Sequence, residues 1–237
     1  MRILTLNMNM FNQDYDNDFG KYINTIKPDI AFIQEFRSTC IDKIPKGYNP
    51  IKPNTFDKLN GRYHITIAIC KGDILDKGKY IDLVYDNRFV KAKIKGHNKS
   101  VAGVHLPIPD QPNDEAFNEL TKLVKADIIC GDFNADIYKS RKSDESRTAN
   151  YTFVAKELKG SYVNPWELGK KSQNAYYCNF AGKEINTTKN IRTFTGNTHI
   201  DYIFAKNKII QLNKIIIDLR TLAFTDHAAV IADLDFV

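Results

Sequence analysis

The stretch DIICGDFNAD, residues 127–136, decides how the rest of this sequence is interpreted. Residues 127–132 are predicted to form a strand with the apolar residues Ile128, Ile129 and Cys130 at its centre. The strand stops at Asp132, and Asn134 follows two residues later. A carboxylate and a carboxamide at the end of a buried strand are well placed to line a cleft, because a rigid strand holds them in a fixed geometry. Taken alone, such residues often simply form a turn.

Other predicted strands also end, or begin, with an amide, a carboxylate or an imidazole. These residues are Asn7 after ILTL, Glu35 after IAFIQ, His105 after VAGV, Asp201 after THI, and Asp226 with His227 at the start of the last strand. Each has an ordinary structural explanation by itself, as a buried amide, a surface acid or a core histidine. Together they are the residue types that attack of water on a phosphate ester requires.

That reaction has three requirements, and these residue types meet each of them. A hard cation such as Mg²⁺ is held by oxygen ligands, and Glu35 with Asn7 fits this need. The charge on the phosphoryl oxygens needs donors, which Asn134, a protonated His105 and the metal would supply. A general base must align the water, and a histidine polarised by a neighbouring carboxylate can do so.

Hydrophobic patterning runs along all 237 residues without a repeat or a long linker, which predicts a single domain over residues 1–237. Strands dominate the pattern. Helices are predicted over residues 17–26 and 114–125, strands near 62–71, 79–85, 88–95 and 100–105, and a polar surface loop over 136–149. Two packed sheets with two or three helices outside them suit this pattern.

Composition narrows the cellular setting. No apolar run approaches the ~20 residues of a membrane helix, and the N-terminus lacks the features of a signal peptide, so we expect a cytoplasmic protein without membrane contact. The four cysteines are scattered and indicate small buried hydrophobes rather than zinc ligands or disulfides. The net charge of +6 favours a polyanionic partner such as nucleic acid, although a Lys- and Asn-rich genome also produces many basic proteins.

The motifs and their order resemble the endonuclease/exonuclease/phosphatase superfamily, the fold of deoxyribonuclease I and exonuclease III. The resemblance covers essentially the whole chain. It is carried by L-N at 6–7, Q-E at 34–35, G-D-F-N at 131–134, H-I-D-Y-I at 199–203 and T-D-H at 225–227. It implies an α+β fold, a four-layer α-β-β-α sandwich in which two packed mixed sheets are flanked by helices and the site lies where the sheets open at one end.

The same resemblance implies a metal site. Asn7, Glu35 and Asp226 would bind Mg²⁺, with Mn²⁺ as a substitute. Asp226 would also orient His227, which would act as the base or as a phosphate ligand.

Further roles follow from the resemblance for four other residues. Asp132 and Asn134 would position the water and the phosphate, and Asp201 would complete the site. His199 stands where relatives frequently have an arginine, which suggests a contact with phosphate.

Two departures from relatives narrow the branch. His105 stands where abasic-site enzymes usually carry a tyrosine, and Asn9 replaces an acid that some of those enzymes have. Both argue against abasic-site repair. His105 instead resembles the two-histidine branch, which includes deoxyribonuclease I.

The favoured prediction is therefore a Mg²⁺-dependent phosphodiester hydrolase, an endonuclease, exonuclease or DNA-end-processing enzyme with DNA as the favoured partner and no obligate protein partner. Arg141 and Lys142 are predicted to contact phosphate. Their segment is alternatively a solvated turn, because Asp144 and Glu145 partly cancel its charge.

Two alternatives stay open from the sequence. The first is a phosphatase or phospholipase-type hydrolase of a small or lipid-linked phosphoester. The second is a scaffold that kept the fold and lost the chemistry, although the full set of acids and histidines argues against it.

Overall fold

The structure, a computed structural model, describes residues 1–9, 18–52, 64–77, 86–109, 114–139, 145–158 and 160–237. Its α-helices are α1 (Asp18–Ile26), α2 (Glu115–Leu123), α3 (Glu145–Thr152) and α4 (Pro165–Ser172). A π-helical turn (Phe153–Leu158) continues α3. Short 3-10 turns cover Ser38–Lys43, Asp86–Arg88 and Leu219–Ala223. No helix in these ranges is long and apolar enough to cross a membrane.

The strands form two mixed sheets. Sheet 1 contains, in spatial order, β11 (Glu184–Asn186), β10 (Ala175–Cys178), β13 (Ile210–Asp218), β14 (Ala229–Phe236), β1 (Arg2–Asn7), β2 (Ile30–Arg37), β4 (His64–Lys71) and β3 (Tyr48–Ile51). Sheet 2 contains β5 (Leu75–Lys77), β6 (Phe89–Ile94), β7 (Lys99–His105), β8 (Ile128–Asp132), β12 (Asp201–Lys206) and β9 (Tyr162–Val163).

The two sheets pack face to face between helices, so the predicted four-layer sandwich is confirmed. Phe32, Ile128 and other inward side chains of both sheets form the central core. On the outer face of sheet 1, α1 buries its apolar side chains, which recur at helical spacing. On the outer face of sheet 2, α2 and the π-helical turn after α3 do the same.

The predicted helices agree with α1 and α2, and Asp114 caps α2 by accepting a hydrogen bond from the Phe117 backbone N–H. The predicted loop over 136–149 is wrong from residue 145 onward, where α3 begins. Helix α3 is polar along most of its length, so hydrophobic periodicity did not reveal it. The strand predicted near 79–85 lies outside the described residues.

Glycine allows the sheets to approach closely near the end where the polar residues gather. A Cβ on Gly103 of β7 would lie 2.3 Å from the Phe32 ring of the facing sheet. Gly131 of β8 has φ +150°, and a Cβ there would lie 1.8 Å from the Val104 carbonyl oxygen. Neither position therefore accepts a side chain, and the strands that carry His105 and Asp132 stay in close contact.

Candidate active site

Asp132 lies at the centre of the candidate site. The register of sheet 2 aligns His105 of β7, Asp132 of β8 and Asp201 of β12 in one row across three strands. The Asp132 Oδ2 atom accepts a hydrogen bond from Asn7 Nδ2 at 3.0 Å and lies 3.9 Å from Nε2 of both His105 and His227. Asp132 Oδ1 accepts the Asn134 backbone N–H at 2.8 Å. Side chains from both sheets therefore converge on one carboxylate.

Glu35 reaches the site from an irregularity in β2. The pairing of β2 with β4 shifts register between Ile33 and Phe36, and Glu35 has φ +51°. A bulge of this kind redirects a side chain, and a non-glycine residue in the left-handed region is a strained conformation typical of functional sites. Asn7 Nδ2 donates to Glu35 Oε1 at 3.2 Å, and His105 Nε2 lies 3.7 Å from the same oxygen.

The Asn7 side chain is oriented by its own loop. Its Oδ1 accepts the backbone N–H of Asn9 at 2.9 Å, so the amide nitrogen is the group that faces Glu35 and Asp132. Thr225 Oγ1 donates to the Asn7 carbonyl oxygen at 2.8 Å. This bond connects the first strand to the T-D-H segment, two parts of the sequence that are 218 residues apart.

The carboxylate that orients His227 is Asp201. His227 Nδ1 lies 2.9 Å from Asp201 Oδ2, and Asp201 is fully buried. Asp226 Oδ1 lies 3.8 Å from the other ring nitrogen, Nε2. The role of orienting His227, which the family resemblance assigned to Asp226, therefore belongs to Asp201. The Thr193 hydroxyl accepts the Asp201 backbone N–H at 3.0 Å and steadies this pair.

Electrostatics make His227 a cation at neutral pH. Burial opposes its charged form, but the negative charge of Asp201 and the hydrogen bond to it, with smaller contributions from Asp132 and Asp226, raise the pKa of His227 to about 10. Burial, together with the charge of Asp201, raises the pKa of Asp132 above its ordinary value. A carboxylate with a raised pKa is a better proton acceptor near neutral pH than an ordinary aspartate.

His105 contacts a positively charged side chain, whereas His227 contacts a carboxylate. Arg88 Nη1 lies 3.2 Å from His105 Nδ1. A guanidinium has donors only, so Nδ1 must accept this bond and the ring proton sits on Nε2. His105 is therefore a neutral donor, which corrects the expectation that it is protonated. No sequence motif marks Arg88, and the pairing of Phe89 with Val104 in β6 and β7 brings it to the site.

Two asparagines connect the loops that leave β7 and β8. Asn134, with φ +51°, donates through Nδ2 to the Leu106 carbonyl oxygen at 2.7 Å. Asn150 of α3 is fully buried and donates to the carbonyl oxygens of Pro107 and Phe133 at 3.1 and 3.0 Å. The sequence carries no signal for Asn150, because α3 lacks an apolar stripe. Its amide holds the two loops at a fixed separation.

Phe194 is a further site neighbour without a sequence signal. Its ring lies 4.9 Å from the His227 ring, centroid to centroid, and residues 194 and 227 pair as an isolated β-bridge. Gly196 lies close beneath, since a Cβ there would lie 2.5 Å from the Phe194 ring. The phenyl ring thus covers one side of the imidazole and limits its movement.

His199 occupies a different environment from the predicted one. Its Nδ1 lies 2.7 Å from the Ile191 carbonyl oxygen, and the rings of Tyr138, Trp166 and Tyr202 surround it. Burial lowers the pKa of His199 to about 4, so the ring is neutral at pH 7. This environment argues against the predicted phosphate contact and supports a role in packing. Arg141 and Lys142, the other predicted phosphate contacts, lie outside the described residues.

The donor set fits a hard divalent cation. Carboxylates from both sheets face the same space, and burial together with the charge of Asp201 raises the pKa of Asp132. Asp132, Asp201 and His227 each present a ligand atom within 4.8 Å of the others. Because Asp201 already binds His227, Glu35 and Asp226 are the better candidates for direct ligands, and their side chains are 20% and 33% exposed.

Comparison with protein-family profiles matches residues 4–227 to the Endonuclease/Exonuclease/phosphatase family. No curated protein matches the chain. Relatives of this family are typically dependent on a divalent metal, in agreement with the buried acidic cluster.

Solved structures share the fold at low sequence identity. An AP endonuclease from Archaeoglobus fulgidus superposes with a TM-score of 0.65 at 19% identity, covering 99% of both chains. The Xenopus laevis APE2 catalytic domain gives 0.64 at 15% identity, covering 100% of this chain and 92% of that one. A mannosyl-6-phosphatase from Bacteroides thetaiotaomicron gives 0.62 at 17% identity over the whole of both chains.

Proposed function

This chain belongs to the endonuclease/exonuclease/phosphatase family, and we propose that within this family it is a metal-dependent phosphodiesterase that hydrolyses nucleic acid. Members of the family hydrolyse phosphoesters. One observation carries the proposal: Asp132 Oδ2 lies 3.9 Å from Nε2 of both His105 and His227. The Nδ1 atom of His105 contacts the cation Arg88, and that of His227 contacts the carboxylate Asp201. A phosphate between these rings would receive two N–H donors beside a carboxylate able to accept a proton.

His227 is the charge-stabilising group in this mechanism. Asp201 holds its Nδ1 side, so Nε2–H points into the site, where no described residue lies within hydrogen-bond distance of it. An imidazolium in this position would bind a phosphoryl oxygen and later protonate the departing oxygen. Of the two roles expected for His227, base or phosphate ligand, the raised pKa supports the second.

Asp132 is the proposed proton acceptor. A water held between Asp132 and Asn134 would attack phosphorus, forming a new P–O bond as the ester P–O bond breaks. One proton of that water would pass to Asp132 Oδ2, and His227 would supply the proton that the leaving oxygen takes up. Asn7 steadies Asp132 by donating to the same oxygen at 3.0 Å.

His105 would supply the second donor. Because Arg88 donates to Nδ1, the Nε2–H of His105 is fixed toward the site. The ring would therefore donate to a phosphoryl oxygen without adding a proton of its own. The positive charge of Arg88 lies directly behind it.

Glu35 and Asp226 would hold the cation, with Asn7 beside them. Mg²⁺, with Mn²⁺ as a substitute, fits oxygen ligands of this kind. When bound, it would neutralise charge on the phosphoryl oxygens as a Lewis acid. The strained backbone of Glu35 would then serve to present its carboxylate to the ion.

Charge supports nucleic acid as the substrate. The chain carries a net charge of +6, and Arg37, Arg88 and Lys139 lie on segments at the end of the sheets where the site lies. DNA stays the favoured polymer, and a cytoplasmic location stays a prediction. Hydrolysis of a small or lipid-linked phosphoester is the competing activity, and a substrate panel separates the two.

The test uses purified protein with Mg²⁺ or Mn²⁺ and a panel of substrates. It compares supercoiled plasmid, single-stranded DNA, RNA, bis-p-nitrophenyl phosphate and inositol phosphates. We expect cleavage of a nucleic acid and of bis-p-nitrophenyl phosphate, with loss of both on adding EDTA. Turnover of inositol phosphates alone would assign the site to the competing activity, and turnover in EDTA would refute the metal.

Site variants show whether any activity arises from this site. His227→Ala and Asp132→Asn should each reduce turnover of bis-p-nitrophenyl phosphate by a factor of at least ~10². His97→Ala is the matched control, since His97 is an exposed histidine in the β6–β7 turn. Full activity in His227→Ala would remove the proposed mechanism.

A further inference from the structure

Phe180 is an unusually exposed aromatic residue. Its relative exposure is 66%, and among the described residues the other large apolar side chains that face solvent are Ile108 and Val237. Phe180 lies in the turn between β10 and β11, where the Asn179 backbone N–H donates to the Lys183 carbonyl oxygen and the Lys183 N–H donates back to Asn179 Oδ1. The turn is therefore ordered while the phenyl ring projects into solvent.

The strand register places Phe180 at the same end of sheet 1 as the candidate site. Cys178 of β10 pairs with Asp218 of β13, which pairs with Ala229 of β14. Phe180 lies two residues after Cys178, and His227 lies two residues before Ala229. Both residues therefore lie beyond this row on the same side. Two strand spacings of ~4.8 Å separate β10 from β14, so the two backbones lie about 10 Å apart.

Arg220 lies in the turn that follows β13, between Phe180 and His227 in the sheet order. The turn Leu219–Ala223 leaves β13, the strand between β10 and β14. Asp218 fixes the guanidinium, accepting from Nε at 2.9 Å and from Nη2 at 2.6 Å. Nη1 is directed toward Gly182 of the Phe180 turn, where a Cβ would be 3.9 Å away. The described part of the chain provides no acceptor for Nη1.

These features form one surface, which we name the Phe180 ledge and define as Phe180, Lys183 and Arg220. It combines an exposed ring, an exposed ammonium and a guanidinium that Asp218 holds through Nε and Nη2. An aromatic ring beside cations is the combination that binds single-stranded nucleic acid, because every base offers a face for stacking and every linkage offers a charged phosphate.

We propose that the Phe180 ledge binds an unpaired nucleotide of the substrate strand, one or two positions from the scissile phosphate. This inference rests on the proposed function. Phe180 would stack on the base, and Arg220 Nη1 and Lys183 would contact the adjoining phosphates. A base within a duplex has both faces covered by its neighbours, so the ledge selects single-stranded nucleic acid or an unpaired end.

Binding is the primary test, because it needs no turnover. Fluorescence anisotropy of a labelled 15-nucleotide single strand, with the wild-type chain in EDTA, measures Kd directly. Phe180→Ala should weaken binding roughly 5- to 100-fold, the range typical of losing one stacked base. Phe180→Trp should retain wild-type affinity, since it keeps a ring face. Phe180 is exposed, so neither change removes core packing.

Charge is tested with a matched pair of variants. Lys183→Glu reverses a charge on the ledge, and Lys208→Glu makes the same change on an exposed lysine in the β12–β13 turn at the opposite end of the sheets. Lys183→Glu should weaken single-strand binding several-fold and more than Lys208→Glu does. Equal effects of the two variants would refute a local contact.

The outcomes separate this inference from the proposed function. If the wild type binds and cleaves single strands and Phe180→Ala does so equally well, the ledge is refuted and the proposed function stands. If the wild type hydrolyses bis-p-nitrophenyl phosphate but neither binds nor cleaves any nucleic acid, the nucleic-acid substrate is refuted and the ledge with it. Tight binding to anionic phosphatidylglycerol vesicles, lost in Phe180→Ala without any change for oligonucleotides, would assign the ring to a lipid surface and also refute the proposal.

Discussion

Replacement of Asp201 by asparagine tests the central pair of the site. The change keeps the shape of the side chain and removes one negative charge that lies 2.9 Å from His227 Nδ1. Asp201 is fully buried and His227 is 5% exposed, so water screens this interaction little. A carboxamide can still accept a hydrogen bond, but it leaves an imidazolium without its principal counter-charge.

The size of the effect follows from the pKa of His227. A value of about 10 lies about 3.5 pH units above the ordinary 6.5, and each unit corresponds to ~1.4 kcal/mol. The raised pKa therefore contributes about 5 kcal/mol to folding stability below pH 6.5, and this contribution is lost as the pH rises from 6.5 to 10. Removing one partner of a buried pair typically costs ~3–5 kcal/mol, which agrees with this figure.

Urea unfolding in EDTA provides the stability measurement, with fluorescence of Trp166, the single tryptophan, as the signal. At pH 6 Asp201→Asn should be ~3–5 kcal/mol less stable than the wild type, and the difference should shrink as the pH approaches 10. The exposed carboxylate Asp42 provides a control, because Asp42→Asn should change stability little. A difference that does not depend on pH would refute the charge pairing.

The same variant should lose activity. Without the carboxylate, His227 loses both its fixed orientation and most of its positive charge. In serine proteases the equivalent change lowers kcat about 10⁴-fold, so a decrease of ~10²–10⁴ in turnover of bis-p-nitrophenyl phosphate is expected here. Wild-type kcat in Asp201→Asn would show that His227 does not act through Asp201.

Three further predictions concern residues around this centre. Arg88→Met should lower kcat on bis-p-nitrophenyl phosphate ~10- to 100-fold with little change in the urea midpoint, because His105 loses the donor that fixes its tautomer. Arg88→Lys should restore part of the rate. An unchanged kcat in Arg88→Met would refute the role of Arg88. The pKa of His199 is about 4 in the folded protein and 6.5 in the unfolded chain, so the unfolded chain takes up a proton first as the pH falls. Folding stability should therefore fall by about 3 kcal/mol between pH 6.5 and pH 4. His199→Gln should flatten that part of the urea-midpoint profile, and an unchanged profile would contradict it. Asn150→Ala should lower the free energy of unfolding by ~1–3 kcal/mol, since two buried carbonyl groups lose their donor. The control Asn118→Ala, at an exposed position of α2, should give nearly the wild-type value in the same urea titration.

Much of the fold could be predicted from local sequence patterns. Alternating and continuous apolar runs identify β1, β2, β8 and β14, and helical spacing identifies α1. These signals are local, because a buried face must be apolar wherever it packs. Helix α3 gave no such signal, since its sequence ESRTANYT is largely polar and Asn150, which is fully buried, makes its contacts through an amide.

The members of the site could also be predicted, because a polar residue ends each buried strand that reaches the cleft. Asn7, Glu35, His105 and Asp132 lie at or near the ends of their strands and Asp201 begins its strand, and the structure brings all five to one end of the two sheets. Motif order alone made this set specific, since each member alone has an ordinary structural explanation.

The pairings within the site were decided by tertiary structure alone. The family resemblance assigned Asp226 as the partner of His227, yet Asp201 reaches Nδ1 because β12 of one sheet begins beside the segment that enters β14 of the other. Arg88 contacts His105 only because β6 and β7 pair as a hairpin. The sequence thus determined which groups reach the cleft through local burial, and the packing of the sheets decided which charged group contacts Nδ1 of each histidine.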